Sequence, residues 1–288
     1  MSTVLIAGCG YVGTALGGLL AEQGHRVFGV RRNASALPPP ISGLSVDLRD
    51  RAALESVPRG IEYVFYAAAP DSSSDATYRD TYVTGLTNLL DAAQAQRWPL
   101  RRVFFTSSTA VYAQQDGEWV DEDSETAAVR YSGARMLEAE QVLFESALPA
   151  TSVRFGGIYG PGRTRLLERV QRGVATYEPG APAFTNRIHR DDCARVLWHL
   201  MSLSSPERVY LAVDDEPVDL ETLLKELARA LGAPEPKPAS DSKEASGRRS
   251  SGNKRCRNAR LRQSGYSFEY PTFREGYAEL ARSLLAGT

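Results

Sequence analysis

With 288 residues, the chain is long enough for one large domain or two closely joined domains around a sizeable core. A net charge of -1 and a pI near 6.4 give no reason to expect nucleic acid or an anionic membrane surface as a partner. Three scattered cysteines, Cys9, Cys193 and Cys256, favour a reducing compartment over disulfides or a metal site. No run of about 18 apolar residues suggests a membrane span. A cytoplasmic protein without a bound metal is therefore expected.

The chain begins with a pattern of strand, glycine-rich turn and helix. Residues 3–7 are β-branched and aliphatic, which is typical of a buried parallel strand, and residues 11–23 are typical of an apolar helix. In the turn, Gly8 would allow a tight bend, Gly10 a close approach to a pyrophosphate, and Gly13 close helix–strand packing. Free N–H groups and the positive helix dipole would bind the phosphates. The predicted phosphate-binding residues are Gly8, Gly10, Tyr11, Val12 and Gly13.

The second strand, predicted over residues 25–30, ends in two arginines. This position, about 20 residues past the glycines, is where an acidic residue would hold the ribose 2′-hydroxyl of NAD. Arg31 and Arg32 stand there instead, and guanidinium groups bind a 2′-phosphate in bidentate fashion. The pattern favours NADP over NAD. The alternative is that both are solvated charges, because arginine is common in this chain and lysine occurs only four times.

Strands and helices then alternate up to about residue 155. The predicted strands are 44–47, 62–67, 102–106 and 151–155, and the predicted helices are 51–57, 75–96 and 130–147. The alternation predicts an α/β fold with a Rossmann-type doubly wound parallel sheet, whose ligand crevice lies at the carboxyl ends of the strands. Asp47 and Leu48 follow one strand, where a side chain would meet adenine. The small residues Ala67, Ala68 and Ala69 end the next one and leave room for the cofactor, although such residues also simply pack well.

Two segments at the predicted strand ends carry residues suited to chemistry. Ser108 lies two residues after the strand 102–106, and Tyr131 and Arg135 open the helix 130–147. A tyrosine beside a nicotinamide can act as general acid and base if its pKa falls from about 10 towards the working pH. A cation one helical turn later lowers that pKa by favouring the phenolate. The serine hydroxyl would orient the substrate oxygen. Any helix contains Tyr-x-x-x-Arg pairs, so the prediction depends on their placement after the serine.

The pattern loosens beyond residue 156. Helices are predicted over 163–172, 191–203 and 220–231, a strand over 209–212, and a mobile surface loop over 234–254. That loop would either close over a substrate or simply be exposed. The predicted domains are a dinucleotide-binding domain over 1–155 and a substrate domain over 156–288, with 184–214 returning to the first.

A few polar residues remain as weaker candidates. Arg154, Arg163 and Arg165 would hold a diphosphate or carboxylate of the substrate, and ordinary salt bridges explain them equally well. His189 precedes two acids at a helix start, where they cap the helix and complement its dipole, so a structural histidine is favoured over a catalytic one. No cluster has metal-ligand spacing.

Motifs along almost the whole chain resemble those of one family. They are Gly8-x-Gly10-x-x-Gly13, Asp47-Leu48, Gly85-x-x-Asn88, Ser107-Ser108-x-x-Val111-Tyr112, Tyr131 with Arg135 and Glu138, Arg154-x-x-x-x-Tyr159-Gly160-Pro161-Gly162, Arg187-Ile188-His189-x-Asp191-Asp192, and Asn253 to Asn258 followed by Gly265-Tyr266. In these motifs the sequence resembles extended or atypical short-chain dehydrogenases/reductases of the NAD-dependent epimerase/dehydratase group.

The resemblance implies a Rossmann domain followed by a smaller C-terminal substrate domain, NAD(P) as cofactor and a nucleotide-sugar-like substrate. It gives Ser108 the hydroxyl role, Tyr131 the acid/base role, and Arg135 the place of the family's lysine. The substrate-side candidates are Arg154, Tyr159, Arg163 and Arg187. It further implies a monomer or a homodimer with a small molecule as its partner.

The sequence also departs from the family pattern. Arg135 is planar, longer than the usual lysine and unable to give up its proton, and Tyr82 replaces the usual asparagine. Two functions follow. One is an NAD(P)-dependent oxidoreductase or epimerase-like enzyme acting on a secondary alcohol or ketone. The other is a catalytically eroded NADP(H)-binding sensor or regulatory protein.

Overall fold

The computed structural model describes residues 1–180, 182–239 and 252–286. Within it the chain divides into two compact units. Unit 1 comprises Met1–Val111, Thr126–Arg154 and Cys193–Tyr210, and unit 2 comprises Tyr112–Glu125, Phe155–Asp192 and Leu211–Thr288. The chain therefore passes between the units after Val111, Glu125, Arg154, Asp192 and Tyr210.

The strands and helices have the following bounds. The strands are β1 (Thr3–Ala7), β2 (Arg26–Arg31), β3 (Ser42–Ser45), β4 (Tyr63–Tyr66), β5 (Arg102–Ser108), β6 (Glu118–Val120), β7 (Ala150–Phe155), β8 (Gly157–Tyr159), β9 (Thr176–Tyr177), β10 (Phe184–Thr185), β11 (Arg187–His189), β12 (Val209–Ala212), β13 (Val218–Asp219), β14 (Lys237–Pro238) and β15 (Lys254–Cys256). The α-helices are α1 (Tyr11–Glu22), α2 (Asp75–Tyr78), α3 (Gly85–Ala95), α4 (Tyr131–Glu145), α5 (Arg165–Gln171), α6 (Arg190–Ser202), α7 (Leu220–Leu231), α8 (Ala259–Gln263) and α9 (Phe273–Ala286).

A seven-stranded sheet has the order β12-β7-β5-β4-β1-β2-β3, and its neighbours from β3 across to β5 pair in parallel. The strand order reverses between β1 and β4, and ligands of such sheets bind at the carboxyl ends of the strands at this point. Val4, Leu5 and Ile6 of β1 are fully buried, as expected for a strand covered on both faces. This confirms the predicted doubly wound α/β fold.

The helix predicted over residues 75–96 is interrupted. Between α2 and α3 the chain forms a π-helical segment, Arg79–Thr84, and Tyr66 donates a hydrogen bond to the Thr81 carbonyl inside it. A side chain at position 85 would not fit, because a Cβ on Gly85 would lie 2.5 Å from the Tyr66 hydroxyl oxygen. The wide turn therefore gives the buried Tyr66 hydroxyl a partner, which the apolar periodicity does not reveal.

Unit 2 is built around its own core. This core includes Tyr159, Leu223, Leu227, Phe273 and Leu280. Helix α7 has its predicted bounds. The Asp219 side chain caps its start by accepting a hydrogen bond from the Thr222 N–H, and Gly232, in the left-handed conformation, ends it. Strand β12 also has its predicted bounds, whereas the two- and three-residue strands of this unit and helices α8 and α9 were not predicted.

Part of the predicted surface loop 234–254 lies outside the described residues, namely 240–251. The described flanks of this loop form strands: Lys237–Pro238 pairs with β9, and Lys254–Cys256 pairs with β6. Among the described helices, none has both the length and the apolar character needed to cross a membrane.

Candidate functional site

The glycine-rich turn joins β1 to α1 and leaves no room for side chains at two of its positions. Gly8 has a φ of +85°, and a Cβ there would lie 2.2 Å from the Ala68 Cα atom. A Cβ on Gly13 would lie 2.9 Å from Ile6 Cγ2 in β1. A Cβ on Gly10, in contrast, would meet only the Gly8 carbonyl oxygen, at 3.9 Å. Gly8 and Gly13 are therefore needed for close packing, and Gly10 faces open space.

The first turn of α1 is suited to an anion. Its N-cap residue, Gly10, provides no side-chain cap, and no acidic residue stands in the first turn. The N–H groups at a helix start have no partner inside the helix and carry the positive end of its dipole. Tyr11 and Val12 are the first two residues of α1. This open, uncapped turn fits the pyrophosphate of a dinucleotide.

At the end of β4, small residues meet the glycine turn. The Ala67 N–H donates to the Ala7 carbonyl at 2.7 Å, which continues the β1–β4 ladder by one residue. Ala68 then lies directly against Gly8. The alanine at position 68 thus belongs to the tight contact between the two strand ends, and Ala69 follows it out of the sheet.

Arg31 and Arg32 lie at the carboxyl end of β2. Arg31 is the last residue of the strand and has no ion pair within the described chain. Both terminal nitrogens of Arg32 bond to the Asp71 carboxylate, and each of these side chains is about half exposed. The Asp71 carboxylate therefore compensates one of the two charges predicted to bind a 2′-phosphate.

The turn after β3 is fixed from two sides. Arg49 donates to the Asp47 carboxylate from Nε at 2.9 Å and from Nη2 at 2.6 Å, which lowers the pKa of Asp47 to about 2. The Asn88 side-chain amide donates to the carbonyls of Leu48, at 3.1 Å, and Arg49, at 3.0 Å. The Gly85-x-x-Asn88 motif thus holds the segment predicted to meet adenine, a role that its spacing alone did not indicate.

Ser108 is the last residue of β5, two residues beyond the predicted end of that strand. Its Oγ accepts a hydrogen bond from the Ala110 N–H at 3.2 Å. The neighbouring Ser107 is buried, and its Oγ has no hydrogen-bond partner among the described residues. The turn after β5 therefore places a fixed hydroxyl at the strand end.

Helix α4 begins directly against this turn. A Cβ on Gly133 would lie 2.2 Å from the Ala110 carbonyl oxygen, so only glycine allows the contact. Tyr131, the first residue of α4, is 40% exposed, and its ring meets that of Tyr78 edge-on at 5.4 Å between centroids. Gly133 thus brings the start of α4 to the turn that carries Ser108, a role that the sequence motifs did not predict.

Arg135 is held by two carboxylates. It donates to Asp75 from Nε at 2.7 Å and from Nη2 at 2.9 Å, and to Glu138 from Nη1 at 2.5 Å. These hydrogen bonds raise the pKa of Arg135 above its usual range, and those to Asp75 contribute most. Three of its nitrogens are engaged, so the charge predicted to favour a phenolate at Tyr131 is compensated by acids of α2 and α4.

The substrate-side candidates have different environments. Arg154 is buried in unit 1, where it donates to the Glu140 carboxylate from Nη2 at 2.7 Å. This ion pair is the salt-bridge alternative that the sequence left open. In unit 2, Arg163 is exposed and donates to the Ile158 carbonyl at 3.3 Å. Arg187 is half-buried, and its Nη1 donates to the Tyr277 hydroxyl at 3.2 Å.

Unit 2 also buries polar atoms without partners. The Tyr159 hydroxyl, Asp214 Oδ2 and Arg187 Nε have no hydrogen-bond partner among the described residues. Asp214 is 1% exposed, and burial raises its pKa to about 8. Its N–H donates to the Arg187 carbonyl at 2.6 Å. Sequence reasoning missed Asp214, because nothing in its local pattern separates it from the neighbouring acids of a polar turn.

His189 and Asp192 make contacts that stabilise the fold of unit 2. The His189 ring is buried against the Tyr270 ring at 3.9 Å, and burial lowers the pKa of the imidazole. Asp192 is fully buried and accepts hydrogen bonds from the Tyr266 hydroxyl at 2.6 Å and from the N–H groups of Glu269 and Tyr270, each at 2.9 Å. Asp192 therefore anchors the segment before α9, although only helix capping was expected of it.

Across residues 1–180, 182–239 and 252–286, no three histidine, cysteine, aspartate or glutamate side chains are grouped as a metal site would require.

Comparison with known proteins identifies the family. Residues 4–212 match the NAD dependent epimerase/dehydratase family, and the chain belongs to this family. A solved structure from Methylobacillus flagellatus, which carries the name NAD-dependent epimerase/dehydratase, is 39% identical, with a TM-score of 0.81 over 99% of both chains.

Curated relatives are more distant in sequence. The chain is similar to the 3-diazoavenalumate denitrifying reductase of a Streptomyces species, with 28% identity over 81% of this chain and 83% of the relative. It is also similar to the UDP-glucose 4-epimerase of Corynebacterium glutamicum, with 29% identity over 58% of this chain and 56% of the relative. The family, its NAD-binding Rossmann fold and its oxidoreductase or epimerase chemistry agree with the resemblance found in the motifs.

Proposed function

We propose that the protein is an NADP-dependent oxidoreductase or epimerase-like enzyme that acts on a secondary alcohol or ketone. One observation carries the proposal: the close contact of Gly133 with the Ala110 carbonyl brings the first turn of α4, with Tyr131, against the turn after Ser108. A phenol and a serine hydroxyl held at neighbouring strand and helix ends suit proton transfer to or from a substrate oxygen.

The roles follow from the chemistry of each group. A bound nicotinamide supplies or accepts a hydride. The Ser108 hydroxyl orients and polarises the substrate oxygen by a hydrogen bond, and Tyr131 gives or takes the proton at its phenol oxygen. Arg135 keeps a positive charge one helical turn from Tyr131 at every working pH, because a guanidinium does not deprotonate.

The preference for NADP is supported by Arg31 and by the absence of an acid at the end of β2. The family is named for NAD, and the 2′-phosphate is the group that distinguishes NADP from it. Release of Arg32 from Asp71 would provide a second guanidinium for the 2′-phosphate, since both side chains are exposed and solvent screens their ion pair.

A sugar or nucleotide-sugar-like substrate is the proposed class. Its support is the similarity to a UDP-glucose 4-epimerase, while the similarity to a denitrifying reductase supports reduction without a sugar. A panel of both kinds of compound is therefore the right screen.

The proposal is tested by replacing Tyr131 with Phe. Turnover of any substrate found in the panel should fall by about 10²–10⁴-fold, because the proton carrier is lost. NADPH affinity, measured by nucleotide fluorescence, should stay nearly unchanged. Tyr78→Phe is the matched control, since it removes a neighbouring hydroxyl and keeps the ring contact with Tyr131. Equal turnover in Tyr131→Phe and the parent protein would contradict the assignment.

A second candidate function is an NADP(H)-binding sensor that has lost catalysis. The ion pairs of Arg135 with Asp75 and Glu138 support it, because they compensate the charge that would activate Tyr131. Asp75→Asn separates the two functions. In an enzyme, the variant should shift the pH profile of kcat to lower pH, because Arg135 loses one compensating carboxylate. In a sensor, neither protein turns over any compound, and both bind NADPH.

A further inference from the structure

Unit 2 carries an exposed tryptophan stacked with two arginines. Trp119 lies on β6 and is 44% exposed. The guanidinium carbons of Arg255 and Arg257 lie 4.9 Å and 4.8 Å from the Trp119 ring centroid, and Arg255 also lies 4.8 Å from that of Phe184. We call these four residues the Trp119 stack. None of them is explained by the packing of the core or by the site in unit 1.

The backbone under the Trp119 stack is held by hydrogen bonds. Arg255 pairs in register with Trp119 across the parallel β6–β15 ladder, and its Nε donates to the Gly117 carbonyl at 2.7 Å. The Asn253 side chain accepts a hydrogen bond from the Phe184 N–H at 2.8 Å, which fixes the phenylalanine to the residue just before β15. The arginines therefore start from an ordered surface.

Strand alternation separates two kinds of basic residue here. Lys254 and Cys256 of β15 are buried, whereas Arg255 is half-buried and Arg257 is exposed. Alternate residues of a strand point to opposite faces. Both arginines thus lie on the outer face, together with Trp119.

The two arginines of the Trp119 stack, Arg255 and Arg257, form no ion pair with an acid in the part of the chain that the structure describes. Two other arginine–aromatic stacks of unit 2 do: Arg262, 5.0 Å from the Phe268 ring, bonds to Asp215, and Arg274 bonds to Glu216. The difference leaves two positive charges together on one ordered surface.

We propose that the Trp119 stack is a binding site for a small oxyanion, a phosphate or carboxylate group of a ligand. A guanidinium stacked on an aromatic ring keeps its N–H groups free in its own plane, where they match such oxygens in bidentate fashion. Among the described residues, the guanidinium N–H groups of Arg257 make no hydrogen bond, and of those of Arg255 only Nε does, to the Gly117 carbonyl. Stacking also reduces the rotamer freedom that binding would otherwise have to remove.

The fluorescence of Trp119 can report whether an oxyanion binds to the Trp119 stack. We would titrate the full-length protein with pyrophosphate, inorganic phosphate and citrate at constant ionic strength, with potassium chloride as the salt control, and follow tryptophan emission. The expected result is a saturable change with at least one oxyanion and none with chloride, and the three ligands distinguish phosphate from carboxylate sources. The change should disappear in Trp119→Phe, which leaves Trp98 and Trp198 as emitters.

Arg257→Gln should weaken this binding about tenfold, since it removes charge-assisted hydrogen bonds. Arg262→Gln is the matched control and should bind as the parent does, because that arginine is already paired with Asp215. Absence of any saturable change, or equal weakening in both variants, would overturn the site. No nicotinamide cofactor and no turnover enter the measurement, so its result is independent of the proposed function.

Discussion

Charged groups of the two units differ in their surroundings at the sites described above. In unit 1, Arg32 and Arg135 form ion pairs with Asp71 and Asp75, and these side chains are partly exposed. In the interior of unit 2, Asp214 is buried with one carboxylate oxygen unpartnered among the described residues. Exposed ion pairs cost and contribute little, whereas a buried polar group without a hydrogen bond costs about 1–3 kcal/mol.

The difference indicates which change each unit should be sensitive to, an added side-chain atom in unit 1 and pH in unit 2. In unit 1, the nucleotide cradle is the glycine turn after β1 together with the start of α4. Gly8 and Gly133 make close backbone contacts there, so its shape should change when a single side-chain atom is added and should not depend on pH. In unit 2, the free energy of unfolding should depend on pH. Burial keeps the Asp214 carboxyl group protonated in the folded state, whereas the unfolded chain releases that proton at a lower pH. Gly133→Ala tests the first statement, and Asp214→Asn tests the second.

The broadest effect is expected from Gly133→Ala in unit 1, because this variant should lower both stability and turnover. The added Cβ would lie 2.2 Å from the Ala110 carbonyl oxygen, and overpacking of this kind costs about 1–3 kcal/mol. Urea unfolding should show the loss, and turnover should fall because the start of α4 moves away from Ser108. Gly18→Ala in α1 is the control, since nothing lies within 4 Å of its Cβ position. It should stabilise the protein by about 0.5–1 kcal/mol. Equal unfolding midpoints for the two variants would show that the contact is not tight.

The next effect is the pH dependence of stability in unit 2. The folded-state pKa of Asp214, about 8, lies above its ordinary value of 3.8. Between these values the folded protein holds a proton that the unfolded chain has released, so stability falls as pH rises through this window, by up to about 1.4 kcal/mol per pH unit. Above about pH 8 the fall stops. The positive charge of Arg187 opposes the shift, and the negative charges of Asp215 and Glu216 support it.

Asp214→Asn removes this titration and keeps the shape of the side chain. The melting temperature of the variant should rise relative to the parent between about pH 5 and pH 8, as linkage requires. A constant difference between the two proteins over this range would mean that Asp214 is ionised in the folded state, and the contrast between the units would disappear.

The smallest effect concerns cofactor preference at the end of β2. Replacing Arg31 and Arg32 together by alanine should weaken NADPH binding about tenfold and leave NADH binding unchanged, because only the 2′-phosphate loses charge-assisted bonds. Asp71→Asn should act in the opposite direction, since it frees Arg32. Calorimetric titration with both nucleotides measures the ratio. If the double variant weakened both nucleotides equally, the arginines would not recognise the 2′-phosphate.

Local patterns explain which parts of the fold were predictable. Gly8 and Gly13 act on atoms a few residues away or on the next strand, so their spacing is readable from the sequence. Helix α7 has a clear apolar face, an Asp219 cap and a Gly232 end, and its predicted bounds are confirmed. The predicted 75–96 helix was wrong as a single element, because its interruption depends on Tyr66, a residue of another strand.

Long-range pairing explains what the sequence could not provide at the site. Arg135 and Asp75 are 60 residues apart, and no periodicity connects them. Gly133 stands inside an ordinary helical pattern, and its importance depends on the Ala110 carbonyl of a preceding turn. The short strands of unit 2 contain two or three residues each, too few for an alternating pattern to be recognised.

The arginine at position 135 has a chemical consequence for how this protein could be controlled. Unit 1 contains no lysine at all, since the first lysine of the chain is Lys225. Reagents that acylate primary amines therefore reach no side chain of the nucleotide cradle or of α4. The cation beside Tyr131 is permanent, and its acidic partners in the described chain, Asp75 and Glu138, modulate it.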